Sequence, residues 1–299
     1  MKRKSLLLAI LTTVLWSGSY IMNKLAFREG IGPLTLSGLR YLLASGILFL
    51  PSLCKGRGGQ KQGPPLKAVL LLGILGYAAA QGLQYVGQSY LTPTQSSLFL
   101  SVGNTAFVLL ADRFWLRENQ GWGDLAGMLL MAGGIALYYA PFGGAALSGV
   151  GMLFMALSSL GYALHLNFNR ALLRGAPVRP RLLAAGPMFF GSVVLLAAGL
   201  ALEGLPVLTG RLLLILAYLS GVSGALGFYL WTTSQSGLSA FESSSINNLM
   251  MIEIALLDLV VFGRSFSAVQ AAAVLLVFCS VLFIQFRKRR PRAKGRPLS

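Results

Sequence analysis

The chain has 299 residues, of which 55% are hydrophobic and only 11% are charged, and its mean hydropathy is +0.70. Because soluble domains carry about 25% charged residues, this composition excludes a water-soluble globular fold. Lys and Arg number 25 against 8 Asp and Glu, which gives a net charge of +17. A strongly basic balance also occurs in nucleic-acid-binding proteins, but here the basic residues lie between and after long apolar runs. This placement indicates that the basic residues set the orientation of the chain in a membrane, and we expect no nucleic-acid partner.

Ten apolar stretches of about 20 residues are each long enough to cross the hydrocarbon core of a bilayer as a helix. In chain order they cover 5–27, 34–54, 67–88, 94–115, 123–141, 149–169, 182–202, 212–233, 241–262 and 267–286. A membrane β-barrel would instead show short alternating segments, and runs such as 271–286 do not alternate. The sequence therefore predicts an all-α integral membrane protein with ten transmembrane helices.

The first apolar stretch follows Lys2-Arg3-Lys4, as in a secretory signal peptide. No small-x-small cleavage pattern follows it, and the stretch continues as far as Phe27. We therefore expect this segment to be retained as the first span.

The distribution of basic residues predicts the orientation of the chain, because cytoplasmic loops are enriched in Lys and Arg. With the N-terminus inside, twenty of the 25 basic residues fall on the cytoplasmic side. The other five are assigned to positions at or near the outer side: Lys24, Arg28, Arg40, Arg211 and Arg264. Both termini are therefore predicted to be cytoplasmic, in the inner (plasma) membrane, which requires an even number of spans. We also expect the basic face to attract anionic lipids.

The two groups of five spans resemble each other in sequence. Three polar matches occur in order at offsets of 146 or 147 residues: Asn23-Lys24 with Asn169-Arg170, Gln88-Ser89 with Gln235-Ser236, and Asp112 with Asp258. An odd number of spans per repeat inverts the second copy, and inverted repeats are a recurring architecture of secondary transporters. The sequence thus predicts a first repeat over 1–145, an inverted second repeat over 146–286 and a basic cytoplasmic tail over 287–299.

Several short motifs follow one another along the spans. They are Leu15-Trp16 with Gly18 and Lys24, Pro33 with Leu39-Arg40, Glu118, and Gly127 with Gly133-Gly134. In this order and spacing, over nearly the whole chain, they resemble the EamA-type members of the drug/metabolite transporter superfamily. The resemblance implies a ten-helix inverted-repeat carrier for metabolites, amino acids or drug-like compounds, often working as an exporter.

Polar side chains at membrane depth are costly to bury and tend to face a cavity or another helix. Helical spacing places several of them, with aromatic neighbours, on common faces of the predicted spans. The residues predicted to contact a substrate are Trp16, Tyr20, Asn23, Tyr77, Gln81, Asn104, Tyr162, His165 and Asn247. The alternative for each is an ordinary interhelical hydrogen bond, which contributes about 0.6 kcal/mol. Five of the predicted spans have such a polar face, and together these faces favour a cavity that is lined by polar side chains and partly filled with water.

Glu253 lies near the middle of the ninth predicted span, where an unpaired carboxyl is expected to be largely neutral. A carboxyl that gains and loses a proton as the cavity changes sides would couple transport to a proton gradient. His165, the only histidine, could share that proton. The alternatives are a protonated Glu253 hydrogen-bonded to a neighbour, or an ion pair with a basic residue. Glu253 is therefore the candidate for proton coupling.

The sequence favours a secondary carrier that exports small metabolites, amino acids or drug-like compounds by alternating access, through either proton exchange or facilitated diffusion. A membrane-embedded lipid-modifying enzyme would need clustered catalytic groups near an interface, and a channel would need charged rings or a filter loop. The sequence has neither feature, and it has no ATP-binding motif and no metal-ligand spacing. We therefore expect a small-molecule substrate, no cofactor and no enzymatic activity.

Overall fold

The computed structural model describes residues 2–54, 65–115, 122–138, 148–175, 180–235, 238, 246–263 and 267–288. Within these residues every regular element is helical, and ten helices have 14 residues or more. They are α1 (Lys2–Arg28), α2 (Pro33–Cys54), α3 (Leu66–Tyr90), α4 (Pro93–Trp115), α5 (Trp122–Tyr138), α6 (Gly149–Gly175), α7 (Pro180–Glu203), α8 (210–235), α9 (Leu249–Phe262) and α10 (Ala268–Lys288). Residues 55–64, between the second and third predicted spans, and the part of the predicted tail beyond 288 lie outside the described residues.

Each of the ten predicted spans coincides with one of these helices. Five described helices are long and apolar enough to cross a membrane, and shorter apolar helices lie in α2, α5 and α10. The helix α9 begins at Leu249 after a turn at Asn248, and residues 241–245 of the ninth predicted span lie outside the described residues. The multi-span helical fold is thus confirmed, while the count of ten spans stays a prediction.

Proline and glycine mark many of the helix ends. Proline is preferred at the first position of a helix, where its missing N–H costs no hydrogen bond, and it begins three helices: Pro33, Pro93 and Pro180. Glycine commonly follows a helix in the left-handed conformation because it has no Cβ, and three glycines with positive φ do so: Gly30, Gly204 and Gly263. These residues fix where the chain turns before α2 and after α7 and α9.

Charged side chains cap the ends of three helices. The Glu203 carboxylate accepts hydrogen bonds from two backbone N–H groups at the start of α2, each at 2.8 Å. Asp258 Oδ2 accepts from the backbone N of Thr94 at 3.2 Å, at the start of α4. Lys24 Nζ donates to carbonyl oxygens at the end of α3, the nearest at 2.9 Å. Because these charges complement the helix dipole, each satisfies free backbone groups and also joins two helices.

The third helix of each group of five contains a π-helical segment of nine residues. It covers Ile74–Gly82 in α3 and Tyr218–Leu226 in α8, an offset of 144 residues. Segments of this kind are rare and are often found at functional sites. The same irregularity at corresponding positions is therefore a structural counterpart of the sequence repeat.

The pattern of helix contacts stays the same when each helix is replaced by its equivalent five positions away in the other repeat. α1 packs on α8 and α9, just as α6 packs on α3 and α4. α2 packs on α8 as α7 packs on α3, and the self-related pairs α2–α7 and α5–α10 also pack extensively against each other. Two structurally equivalent repeats produce this exchange. Their opposite orientation in the membrane stays a prediction.

The apolar interior is divided into two hydrophobic cores. One is formed by α1, α2, α3, α7 and α8 and includes Leu36, Met188 and Leu212. The other is formed by α4, α5, α9 and α10 and includes Leu98 and Met131. Each core takes helices from both repeats, so the repeats are interleaved rather than placed side by side.

α2 and α7 approach each other closely because both have glycine at the contact. A Cβ added at Gly38 would lie 2.6 Å from the backbone N of Leu196, and one at Gly199 would lie 2.5 Å from the backbone N of Thr35. Small residues that let backbones approach are a usual basis of helix packing in membranes. Neither position therefore accepts a side chain unless the two helices separate.

Replacing Gly38 with leucine is expected to lower the free energy of unfolding by about 3 kcal/mol, because the new side chain meets the backbone of α7. Gly46→Leu is the matched control on the same helix, since an added Cβ there has nothing within 4 Å. The measurement is denaturant titration of both variants in mixed micelles. Equal stability of the two variants would contradict the close α2–α7 contact.

Candidate functional site

Arg40 lies in the interior of the bundle and is 5% exposed. It stands seven residues after Pro33, which is about 10 Å along the axis of α2. Arg40 is thus part of the packed interior, while its position at or near the outer side of the membrane stays a prediction. An arginine two turns into a span faces its neighbouring helices when those helices offer polar partners.

The guanidinium of Arg40 has partners on two other helices. Nη1 donates to the hydroxyl of Tyr85 on α3, and Nη2 donates to Ser223 Oγ on α8 at 3.0 Å. The guanidinium carbon also lies 5.1 Å from the ring centroid of Tyr41 and 5.9 Å from that of Tyr85, within the range of cation–π attraction. Nε has no hydrogen-bond partner among the described residues.

Further polar and aromatic side chains surround Arg40. We call the following residues the polar cluster: Tyr20, Arg40, Tyr41, Gln81, Gln84 and Tyr85. The Tyr41 hydroxyl donates to Gln81 Oε1 at 2.7 Å, and Gln84 Nε2 donates to the Tyr20 hydroxyl at 3.2 Å. The rings of Tyr41 and Tyr85 meet edge-on, with centroids 6.2 Å apart. The cluster therefore joins α1, α2 and α3 by side-chain contacts.

Both π-helical segments contribute to this site. Gln81 belongs to the segment in α3, and Ser223, the partner of Arg40, belongs to the segment in α8. The backbone carbonyl of Ser223 also accepts a hydrogen bond from Trp16 Nε1 at 3.0 Å. The Trp16 ring lies 5.5 Å from the ring of Phe228 and 5.2 Å from that of Trp231. The polar cluster thus lies where the first three helices meet α8 of the second repeat.

Tyr77 and His165 extend the site toward α6. The Tyr77 ring meets the ring of Tyr41 edge-on at 5.4 Å and the ring of His165 edge-on at 6.3 Å. His165 Nδ1 lies 3.2 Å from the carbonyl oxygen of Leu72 on α3. A proton on Nδ1 donates to this carbonyl, so the backbone of α3 orients the imidazole ring.

The structure brings five of the nine predicted substrate contacts to the polar cluster or its edge: Trp16, Tyr20, Tyr77, Gln81 and His165. Asn23 lies one turn beyond Tyr20 on α1 and donates from Nδ2 to Gln88 Oε1 at 2.7 Å. Asn104 is half-buried on α4, Tyr162 is 37% exposed on α6, and Asn247 is exposed just before α9. These three residues are not members of the cluster.

Glu253 hydrogen-bonds two hydroxyl groups of α1. Its Oε1 lies 2.9 Å from Thr13 Oγ1, and its Oε2 lies 2.7 Å from Ser17 Oγ. Thr13 Oγ1 also lies 2.8 Å from the carbonyl oxygen of Ile10, although a hydroxyl has only one proton to donate. A protonated Glu253 satisfies both contacts, because it donates to Thr13 while Thr13 donates to Ile10. The geometry therefore accommodates a proton on this carboxyl.

The acidic side chains that the structure describes all have partners away from Arg40. They are Glu29, Glu203, Glu253 and Asp258. Glu29 forms an ion pair with Arg211 at 3.2 Å, Glu253 binds the hydroxyls of α1, and the other two cap helix starts. In the described part of the chain no ion pair joins Arg40 to a carboxylate. Its charge is stabilised there by tyrosines and a serine.

Sequence reasoning missed Arg40, Tyr41 and Ser223 as residues of the site. The available signal was the depth of Arg40, since an ionisable residue well inside an apolar span is by default a functional candidate. Tyr41 and Ser223 gave no such signal, because tyrosine and serine are common in packed helices.

The chain matches the model of the EamA-like transporter family twice, over residues 3–140 and 149–286. The two matches start 146 residues apart, which confirms the internal repeat. A protein of Salmonella typhimurium named as a probable amino-acid metabolite efflux pump is 23% identical, over 97% of this chain and 98% of its own length. A S-adenosylmethionine/S-adenosylhomocysteine transporter of Chlamydia trachomatis is 28% identical over 142 residues, and the chain spans only 42% of that protein's length.

A solved crystal structure has the same fold. It aligns with a TM-score of 0.68 and 19% identity over 98% of this chain and 100% of that one. The family match covers both repeats and favours a transporter over the alternative of a membrane-embedded lipid-modifying enzyme. The chain belongs to the EamA-like transporter family, and it has several helices that are long and apolar enough to cross a membrane.

Proposed function

We propose that this chain is a secondary transporter that exports small metabolites, amino acids or drug-like compounds across the inner membrane by alternating access. The observation that carries the proposal is the place of the polar cluster, where α1, α2 and α3 meet α8 of the second repeat. Substrate sites of inverted-repeat carriers lie near the midplane between the repeats. Tyrosine rings and glutamine amides in the cluster offer apolar faces and hydrogen bonds to a small amphipathic molecule.

The names of two relatives support a metabolite substrate, and one of them supports the outward direction. The Salmonella relative is named as an efflux pump for amino-acid metabolites, and the Chlamydia relative as a transporter of two sulfur-containing amino-acid derivatives. The proposal includes ten spans, an inverted second repeat and two cytoplasmic termini. It also places the basic residues of the cytoplasmic side, including the tail over 287–299, against anionic lipids.

Proton exchange through Glu253 is the proposed driving reaction. Its carboxyl binds Thr13 and Ser17 on α1, and the same helix supplies Trp16 and Tyr20 to the site. A movement of α1 that changes the substrate site therefore also changes the hydrogen bonds of this carboxyl. Such a link between proton occupancy and helix position is what coupling requires.

Counterflow into proteoliposomes loaded with a panel of amino acids and aromatic metabolites tests the transporter and its site. Tyr41→Phe removes the hydroxyl that binds Gln81, and we expect it to raise the KM for counterflow by about 2- to 10-fold. Tyr229→Phe is the matched control, because that tyrosine is 62% exposed on α8. Equal KM values for the two variants would place the substrate away from the cluster, and no saturable flux of any compound would contradict the proposed function.

Glu253→Gln is expected to keep counterflow near the wild-type rate and to abolish accumulation driven by a pH gradient. Glutamine keeps a hydrogen-bonding group beside Thr13 and Ser17 but has no proton to exchange. The measurement compares counterflow with gradient-driven accumulation in the same vesicles. Glu203→Gln, which changes a carboxylate that caps α2, is the control. Accumulation by Glu253→Gln at the wild-type level would assign transport to facilitated diffusion.

A further inference from the structure

Arg40 carries a buried positive charge, and no ion pair joins it to a carboxylate in the described part of the chain. Arginine stays protonated in proteins, and a buried charge that lacks an opposite charge is strongly destabilising. Tyr85 and Ser223 occupy Nη1 and Nη2, whereas Nε has no partner among the described residues. The buried Nε–H is therefore a donor for which no described residue supplies an acceptor.

We propose that Arg40 binds the carboxylate of the transported compound, so that the substrates of this carrier are organic monocarboxylates with an apolar or aromatic body. The inference rests on the proposed function, because it names the substrate class of the same site. Nε and the neighbouring Nη present parallel N–H groups, which match the two oxygens of a carboxylate. The negative charge of the substrate then supplies the counter-ion for Arg40.

The number of positive charges in the site favours a carboxylate over a phosphate. Arg40 is the one basic member of the polar cluster. Lys24 binds carbonyl oxygens at the end of α3, and Arg28 lies over the Phe262 ring at 4.7 Å. A single guanidinium balances one negative charge, whereas a phosphate monoester carries up to two.

The tyrosines of the site define the rest of the substrate. The Tyr41 ring lies 5.1 Å from the guanidinium carbon, so a compound held at Nε lies close to this ring. Tyr77 is edge-on to Tyr41 at 5.4 Å and continues the aromatic surface. Aromatic bodies pack well against such edges and faces. Gln84, which already binds the Tyr20 hydroxyl, adds amide hydrogen-bonding groups.

Thermal stabilisation of the purified wild-type protein in detergent tests the inference without a mutation. The probes are matched pairs: phenylacetate with phenylacetamide, and L-phenylalanine with L-phenylalaninamide. A ligand that binds the folded state raises the melting temperature, so we expect each acid to raise it and each amide to leave it unchanged. Amides that stabilise as strongly as the acids, or acids that do not stabilise at all, would overturn the inference.

Variants then assign the effect to Arg40. Arg40→Gln is expected to weaken binding of the acids by about 30-fold or more, because it removes one partner of a buried charge pair. Arg40→Lys keeps the charge but loses the planar fork, so binding of intermediate strength is expected. Arg28→Gln removes the same charge from an exposed position and is the control. Equal acid binding by Arg40→Gln and Arg28→Gln would overturn the role of Arg40. If Arg40→Gln does not fold, the comparison of each acid with its amide on the wild-type protein decides whether the site binds a carboxylate.

The outcomes separate this inference from the proposed function. Acids that stabilise the protein but show no saturable flux in proteoliposomes would contradict the transporter and leave the carboxylate site standing. Saturable flux of neutral or cationic compounds with no preference for the acids would leave the transporter standing and overturn the carboxylate site.

Discussion

A polar group inside a lipid-embedded bundle must find its partner within the protein, since the hydrocarbon offers none. This constraint explains which helices are tied together. Glu203 reaches the start of α2 across 168 residues of chain, and Asp258 reaches the start of α4 across 164. Each contact completes the hydrogen bonding of a helix end and fixes the place of a distant helix. The order of the bundle thus follows from where its few charges can be satisfied.

Arg40 meets the same constraint with phenol and hydroxyl groups, which makes the two repeats chemically unequal. At the sequence offset of 146 residues, the counterpart of Arg40 is Gly186 and that of Tyr20 is Leu166. The repeats therefore share their helix contacts and their π-helical segments but not the charged centre. The arrangement of the helices comes from the duplication, whereas every residue of the polar cluster lies in the first repeat, and Ser223 of the second repeat binds its Arg40.

Most of the fold could be predicted from the sequence because lipid imposes a simple rule of length and hydropathy on each helix. Tyr20, Tyr77 and Gln81 could be found because helical spacing places them beside other polar groups. Arg40 could not be assigned in the same way, because its partners Tyr85 and Ser223 are 45 and 183 residues away. The periodicity of α2 alone does not reveal contacts with α3 and α8. The partners of Glu253 on α1, 236 and 240 residues away, were equally invisible.

The exchange of helices between the repeats has a consequence for biosynthesis. α1 is made before the whole second repeat, yet its main neighbours are α8 and α9 of that repeat. The contacts of Trp16 with Ser223 and of Ser17 with Glu253 therefore form only after the second repeat has been inserted. Until then α1 must remain in the membrane without its final neighbours. The assembled bundle therefore requires both repeats, and neither repeat alone forms the polar cluster with its α8 contact.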